Sequence, residues 1–173
     1  LADSRVKHIR LMANDALRRA NCDSPPVPIE EVARSLGAKV LFAPYEGDDL
    51  AGMLINGGDQ PIIAVNSAHH KHRQRFTIAH ECGHLVLGHS GESHIDRTFE
   101  VIRRDAKSSL ATDISEVEAN QYAAELLMPL KFLVRDLPGI RIDFESDEKV
   151  ASLAKRYGVS AQAMAYRIAN LFM

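Results

Sequence analysis

Along the first twenty positions Val6, Ile9, Met12, Ala13, Ala16 and Leu17 recur at helical spacing, with Arg18 and Arg19 behind them. This spacing predicts an amphipathic helix that buries one stripe. Asp23-Ser24-Pro25-Pro26 punctuates it, and a short helix follows over about Ile29 to Leu36, stopped by Gly37 in a C-cap position. The pattern then shortens. Lys39 to Ala43 predicts a strand, and Ala51 to Ile55 and Pro61 to Val65 predict two more, joined across Asn56-Gly57-Gly58-Asp59 as a hairpin. Helical periodicity returns from Gln74 to about Leu87 and again from Thr112 to Leu127, where the Met128-Pro129 step ends it. Val150 to Leu171 reads as helix, Gly158 turn, Ser160 N-cap and helix, a helix-turn-helix pattern. Helices, a small sheet, then helices again predict an α+β fold.

Composition narrows the function classes. The chain has 173 residues, 46% hydrophobic and 25% charged, enough for one compact domain with a proper core. A net charge of -2 gives no overall attraction for nucleic acid or an anionic membrane surface. Two cysteines, Cys22 and Cys82, make no disulfide framework and suit a reducing compartment. No apolar run is long enough to span a bilayer, and the first residues lack a charged-then-apolar signal pattern. The expectation is a cytoplasmic chain without a membrane partner; an opening on Leu1 leaves room for sequence upstream.

The strongest chemical signal is His80-Glu81-Cys82-Gly83-His84, an H-E-x-x-H sequence inside the Gln74 to Leu87 helix. Residues four apart share a helical face, so both imidazoles can converge on one ion. Zinc suits two imidazoles and a carboxylate with one open position, and Glu81 stands where it can take a proton from the metal's water. The same spacing occurs by chance on exposed helices. Here Ile78, Ala79, Cys82, Leu85 and Val86 make the helix mostly apolar, so the histidines are expected in a buried element where ligation satisfies them. Cys82 points away from His80 and reads as a core thiol.

Two residues compete as third ligand. His89 would follow the metzincin pattern, which needs glycine three and histidine six residues past the second ligand; Leu87 and Ser90 stand there instead. Glu116 is the better candidate. It shares a helical face with Ala119, Asn120 and Ala123, small residues that let its helix approach the other. Asn120, one turn on, could hydrogen-bond a ligand, or be a surface amide. Glu118 and Glu125 point elsewhere and read as solvated, as do His69, His70 and His72.

Together, His80-Glu81-Cys82-Gly83-His84-Leu85-Val86-Leu87-Gly88-His89, the basic Ile102-Arg103-Arg104-Asp105 stretch and the block from Glu116 to Pro129 resemble the ImmA/IrrE family of metallopeptidases. The resemblance covers about Val27 to Met128, and more loosely the C-terminal helices. It implies a zincin-like α+β domain with a gluzincin-like zinc site, Glu116 as third ligand and one zinc ion per chain. It also implies a protein substrate, a helix-turn-helix transcriptional repressor cut to switch on phage, mobile-element or stress-response genes. Tyr122 departs from the pattern where phenylalanine is common, a change of packing.

The resulting expectation is a single metallopeptidase domain over residues 1–173, with a zincin-like core over 1–130 and a helical extension over 131–173. Arg103 and Arg104, in the long segment Ser90 to Ala111, would grip an acidic or C-terminal part of the peptide, or belong to a solvated loop with a short edge strand. The scissile segment would lie beside an edge strand from the Gly52 to Val65 region. Tyr45, Tyr157 and Tyr166 all remain open as oxyanion partners. Two rivals stand beside this reading: a DNA-binding regulator that uses the C-terminal helix pair with a structural zinc, and a protein that grips a repressor without cutting it. The second helix of that pair offers Gln162, Tyr166, Arg167 and Asn170 with a single positive charge, poor neutralisation for phosphates.

Overall fold

The structure is a computed structural model that describes residues 1–45, 50–56, 58–89, 93–96, 110–137 and 147–172. Helix α1 (Asp3–Arg19) buries Ile9, Ala13, Ala16 and Leu17, and its acidic first turn and basic last turn complement the helix dipole. Helix α2 (Ile29–Ser35) ends just before Gly37, whose φ of 87° turns the chain into the sheet. Strands β1 (Lys39–Ala43), β2 (Gly52–Ile55), β3 (Ile62–Asn66) and β4 (Ser93–Asp96) pair in the order β1-β3-β2-β4. β2 and β3 form the antiparallel hairpin, β1 adds parallel to β3, and β4 adds antiparallel to β2. Both hairpin strands are therefore interior. This corrects the expectation of an edge strand between Gly52 and Val65: β1 and β4 close off its two sides.

Leu54, Ile63 and Val65 face the core, where helix α3 (Lys71–Leu87) crosses the sheet. The approach is close at Gly52, where any Cβ would run into the Thr77 Cγ2 and stand 2.7 Å from the Ala64 carbonyl oxygen. α3 begins three residues before the expected Gln74, because His70 Nδ1 accepts a hydrogen bond from the His72 N–H at 3.2 Å and caps the first turn. Helix α4 (Leu110–Leu127) packs between α3 and α1. Pro129 then serves as the N-cap of a helix that periodicity missed, α5 (Leu130–Asp136). Helices α6 (Asp147–Tyr157) and α7 (Ala161–Phe172) meet at Gly158 (φ 65°), with Ser160 Oγ accepting from the Ala163 N–H at 3.1 Å.

One cluster of buried apolar side chains draws from α1 through α7, and it includes Tyr157, Met164 and Ile168 of the last helix pair. Polar contacts fix that pair to the rest. Arg75 of α3 donates to the Gly158 carbonyl at 3.0 Å, and Tyr157 Oη donates to Asp136 Oδ2 at 2.8 Å. Arg167 donates to the Met128 carbonyl at 3.1 Å and to both Glu125 oxygens. Among the described residues, no helix is long and apolar enough to cross a membrane.

Candidate metal centre

α3 carries His80, Glu81 and His84 fully inside the molecule, framed by buried Thr77, Ile78, Ala79 and Cys82. The two imidazoles meet edge to face, ring centroids 4.7 Å apart, with their Nε2 atoms 2.9 Å apart. α4 brings Glu116 opposite them: its Oε2 lies 3.3 Å from His80 Nε2 and its Oε1 3.5 Å from His84 Nε2. These donor atoms all lie within 4.8 Å of one another, a set that could hold a metal ion. A tetrahedral ion with bonds of about 2.0–2.1 Å separates its ligand atoms by about 3.3 Å. The 2.9 Å between the imidazole nitrogens, and the 3.3 and 3.5 Å from them to the two oxygens of Glu116, lie near that value, so the donor set suits an ion of this size. The Glu116 side chain is 33% exposed while the two rings are sealed, so the cluster opens to solvent on the carboxylate side.

Asn120 Oδ1 lies 3.0 Å from His80 Nδ1. An amide oxygen only accepts, so this contact places the proton on Nδ1 and leaves the Nε2 lone pair facing the cluster. α3 and α4 come this close because Gly83, between the two histidines, lies directly against Ala119.

His89 is not in the ligand set. Its Nε2 lies 2.8 Å from Glu118 Oε2, and Arg5 of α1 holds the same carboxylate at 2.6 and 2.5 Å. Glu118 and Glu125 are thus buried and paired, which corrects their reading as solvated. The Arg5 hydrogen bonds hold the Glu118 carboxyl below the usual carboxylate range against the opposing effect of burial, with help from His89. His69 is also buried, contrary to expectation; His70 is exposed. Burial and the neighbouring His70 and Arg75 charges push the half-buried His72 down.

Cys82 is fully buried, and burial pushes its thiol far above the usual range, so it stays an inert core group. Tyr122 is buried beneath the site, with its Oη meeting no hydrogen-bond partner among the described residues. Of the tyrosines left open for oxyanion contact, Tyr157 is buried with its hydroxyl committed to Asp136, while Tyr166 stands exposed on α7. Arg103 and Arg104 lie outside the described residues. Arg5 and Glu118 carried no signal in the sequence, since 113 positions separate the partners.

Comparison with known proteins places the chain in a metallopeptidase family. Residues 33–169 match the family model Peptidase M78, described as the IrrE N-terminal-like domain. The radiation response metalloprotease IrrE of Deinococcus radiodurans is 31% identical over 94% of this chain and 50% of its own length. The protein of the same name from Deinococcus deserti is 33% identical over 63% of this chain and 36% of its own. The chain thus spans about half the length, or less, of these curated relatives. A solved Mycobacterium tuberculosis transcriptional regulator shares the fold, with a TM-score of 0.64 over 96% of this chain and 48% of the other at 14% identity.

Proposed function

Because this chain belongs to the Peptidase M78 family, the IrrE N-terminal-like domain, we propose that it is a zinc-dependent endopeptidase acting on a protein substrate. The observation that carries the reading is the convergence of His80 Nε2, His84 Nε2 and the Glu116 carboxylate at 2.9, 3.3 and 3.5 Å. These three side chains would hold the ion. A bound zinc ion supplies Lewis acidity, polarising a peptide carbonyl and lowering the pKa of water.

The chain's own residues do the rest. Asn120 keeps His80 in the tautomer that offers Nε2 inward. Glu81, buried beside the ligands, accepts the proton of the attacking water on its carboxylate and passes it to the departing amine. Substrate enters on the exposed side of Glu116. Arg103 and Arg104 would bind an acidic or C-terminal part of the peptide. The family resemblance supports a helix-turn-helix repressor as the substrate, cut to release phage, mobile-element or stress-response genes, in keeping with the radiation response named for the Deinococcus relatives. The whole chain would act as one cytoplasmic domain, residues 131–173 being a structural extension.

The DNA-binding rival loses its main support at Arg167. That side chain is 4% exposed and spent on Glu125, so the exposed face of α7 presents Gln162, Tyr166 and Asn170 without a charge.

Elemental analysis and a cleavage assay test the proposal. Wild type is expected to retain about one zinc per chain, and Glu116→Ala to retain much less. Glu81→Gln is expected to keep zinc and fail to cut a co-expressed helix-turn-helix repressor. Undiminished cleavage by Glu81→Gln would overturn the mechanism, and zinc held equally well by Glu116→Ala would overturn the ligand set.

A further inference from the structure

We infer that His89 is a positioning residue for His84, clamped in place by Glu118 and Arg5; this rests on the reading of His80, His84 and Glu116 as zinc ligands. The chain leaves α3 at Gly88, whose φ of 71° folds it back on the helix. The His89 N–H then donates to the His84 carbonyl at 3.0 Å, and the His89 ring lies against the His84 ring, centroids 5.4 Å apart at 73°. His84 is therefore flanked by two imidazoles, His80 on one side and His89 on the other.

An imidazole rotates about a broad, roughly two-fold torsion, so a ligand ring without neighbours can swing its nitrogen out of line at little cost. The His89 ring, its centroid 5.4 Å from that of His84, restricts such a swing on its side. Its own ring is oriented by one polar contact among the described residues, the 2.8 Å approach of Nε2 to Glu118 Oε2, while its Nδ1 is buried without a partner there. Glu118 in turn cannot turn away, because the Arg5 guanidinium grips both of its oxygens from α1. Glu118 stands two residues after Glu116 on α4, so the helix that supplies the third ligand also supplies the clamp. Three elements, α1, α3 and α4, thus fix the orientation of a single donor nitrogen.

A plain structural tie between α1 and α4 would show in stability alone. The positioning role shows in the metal. The test measures zinc affinity by chelator competition and the visible spectrum of the cobalt-loaded chain, for wild type, His89→Ala and Arg10→Ala. Arg10 contacts Glu125 further along α4 and serves as the control for general loosening of the α1–α4 contact. His89→Ala is expected to bind zinc about tenfold more weakly, with a shifted cobalt spectrum. Arg10→Ala is expected to lose stability and keep wild-type zinc affinity and spectrum. Should His89→Ala fail to fold, His89→Gln, which keeps a donor for Glu118 and removes the ring, carries the same expectation.

Wild-type affinity and spectrum in the His89 variant would overturn the inference while leaving the zinc site standing. Equal weakening in Arg10→Ala would overturn it in favour of a structural tie. A wild-type chain that takes up neither zinc nor cobalt would overturn the zinc reading itself, and the positioning role with it.

Discussion

Gly83 occupies one of the two unspecified positions of the H-E-x-x-H sequence, yet the structure leaves it little freedom. A Cβ there would stand 3.0 Å from Ala119 Cα and 3.2 Å from both the Ala119 carbonyl oxygen and Tyr122 Cβ. Two of those three atoms are backbone, so relief requires α4 itself to move. Gly83→Ala gains about 1 kcal/mol of helix propensity. Overpacking of this kind costs about 1–3 kcal/mol, so the expected balance is a modest loss of stability. Ala119 lies between Glu116 and Asn120, and a displaced α4 carries both away from the histidines. We expect Gly83→Ala to lower the urea midpoint and to surrender zinc to a chelator more readily; wild-type zinc retention would show that α4 absorbs the methyl group without moving Glu116. The meeting of the His80 and His84 rings was legible because helical spacing encodes it locally. Glu118 and Glu125 were misread as solvated because their arginine partners lie 113, 115 and 42 positions away, beyond any local pattern.

At the scale of elements, periodicity found α1, α2, β1, β2, β3, α4 and the last helix pair, and missed α5 and the first turn of α3. The start of α3, Lys71-His72-Arg73-Gln74-Arg75, holds no apolar residue, and its first turn is secured by the His70 cap instead. α5 was hidden because proline after Met128 reads as a stop, whereas it begins the next helix. β4 lies in the segment Ser90 to Ala111, for which a short edge strand was one of the two readings, and its place at the edge of the sheet comes from pairing with β2. The helix pair α6–α7 was recognisable in outline from Gly158 and Ser160, but its attachment was not. Arg167 and Glu125 are 4% and 1% exposed, and removing one partner of such a pair leaves a buried charge. Breaking buried pairs costs about 3–5 kcal/mol; Arg10, 28% exposed, still reaches Glu125, so Arg167→Ala should cost somewhat less. Equilibrium urea unfolding checks this. A loss below about 1 kcal/mol, the range of surface ion pairs, would mean that the pair behaves as an exposed one.

Over the whole molecule, charge that reads as a near-neutral total is distributed with a purpose that composition does not reveal. Arg5, Arg10, Arg75 and Arg167 turn inward, joining α1, α3, α4 and the α6–α7 turn; Arg75 holds backbone carbonyls, while Arg5, Arg10 and Arg167 couple stability to pH through their carboxylate partners Glu118 and Glu125. Glu125 is the clearest case. Burial alone would raise its carboxyl, but the hydrogen bonds and charges of Arg167 and Arg10 outweigh it and hold the group below the usual carboxylate range. A carboxyl whose folded value lies below its unfolded value binds its proton more readily in the unfolded chain. Its contribution is therefore fully present above the unfolded value of about 4.3 and disappears as pH falls through the folded value. The metal-free chain should thus lose thermal stability progressively on acidification below about pH 5. Glu125→Gln, which has no proton to take up, should start from a lower stability at neutral pH and fall less steeply over the same acid range. Thermal melts of both chains, stripped of metal so that zinc release does not contribute, decide the matter: parallel curves would mean that acid sensitivity resides in other titratable groups and that Glu125 with Arg10 and Arg167 takes no part in it.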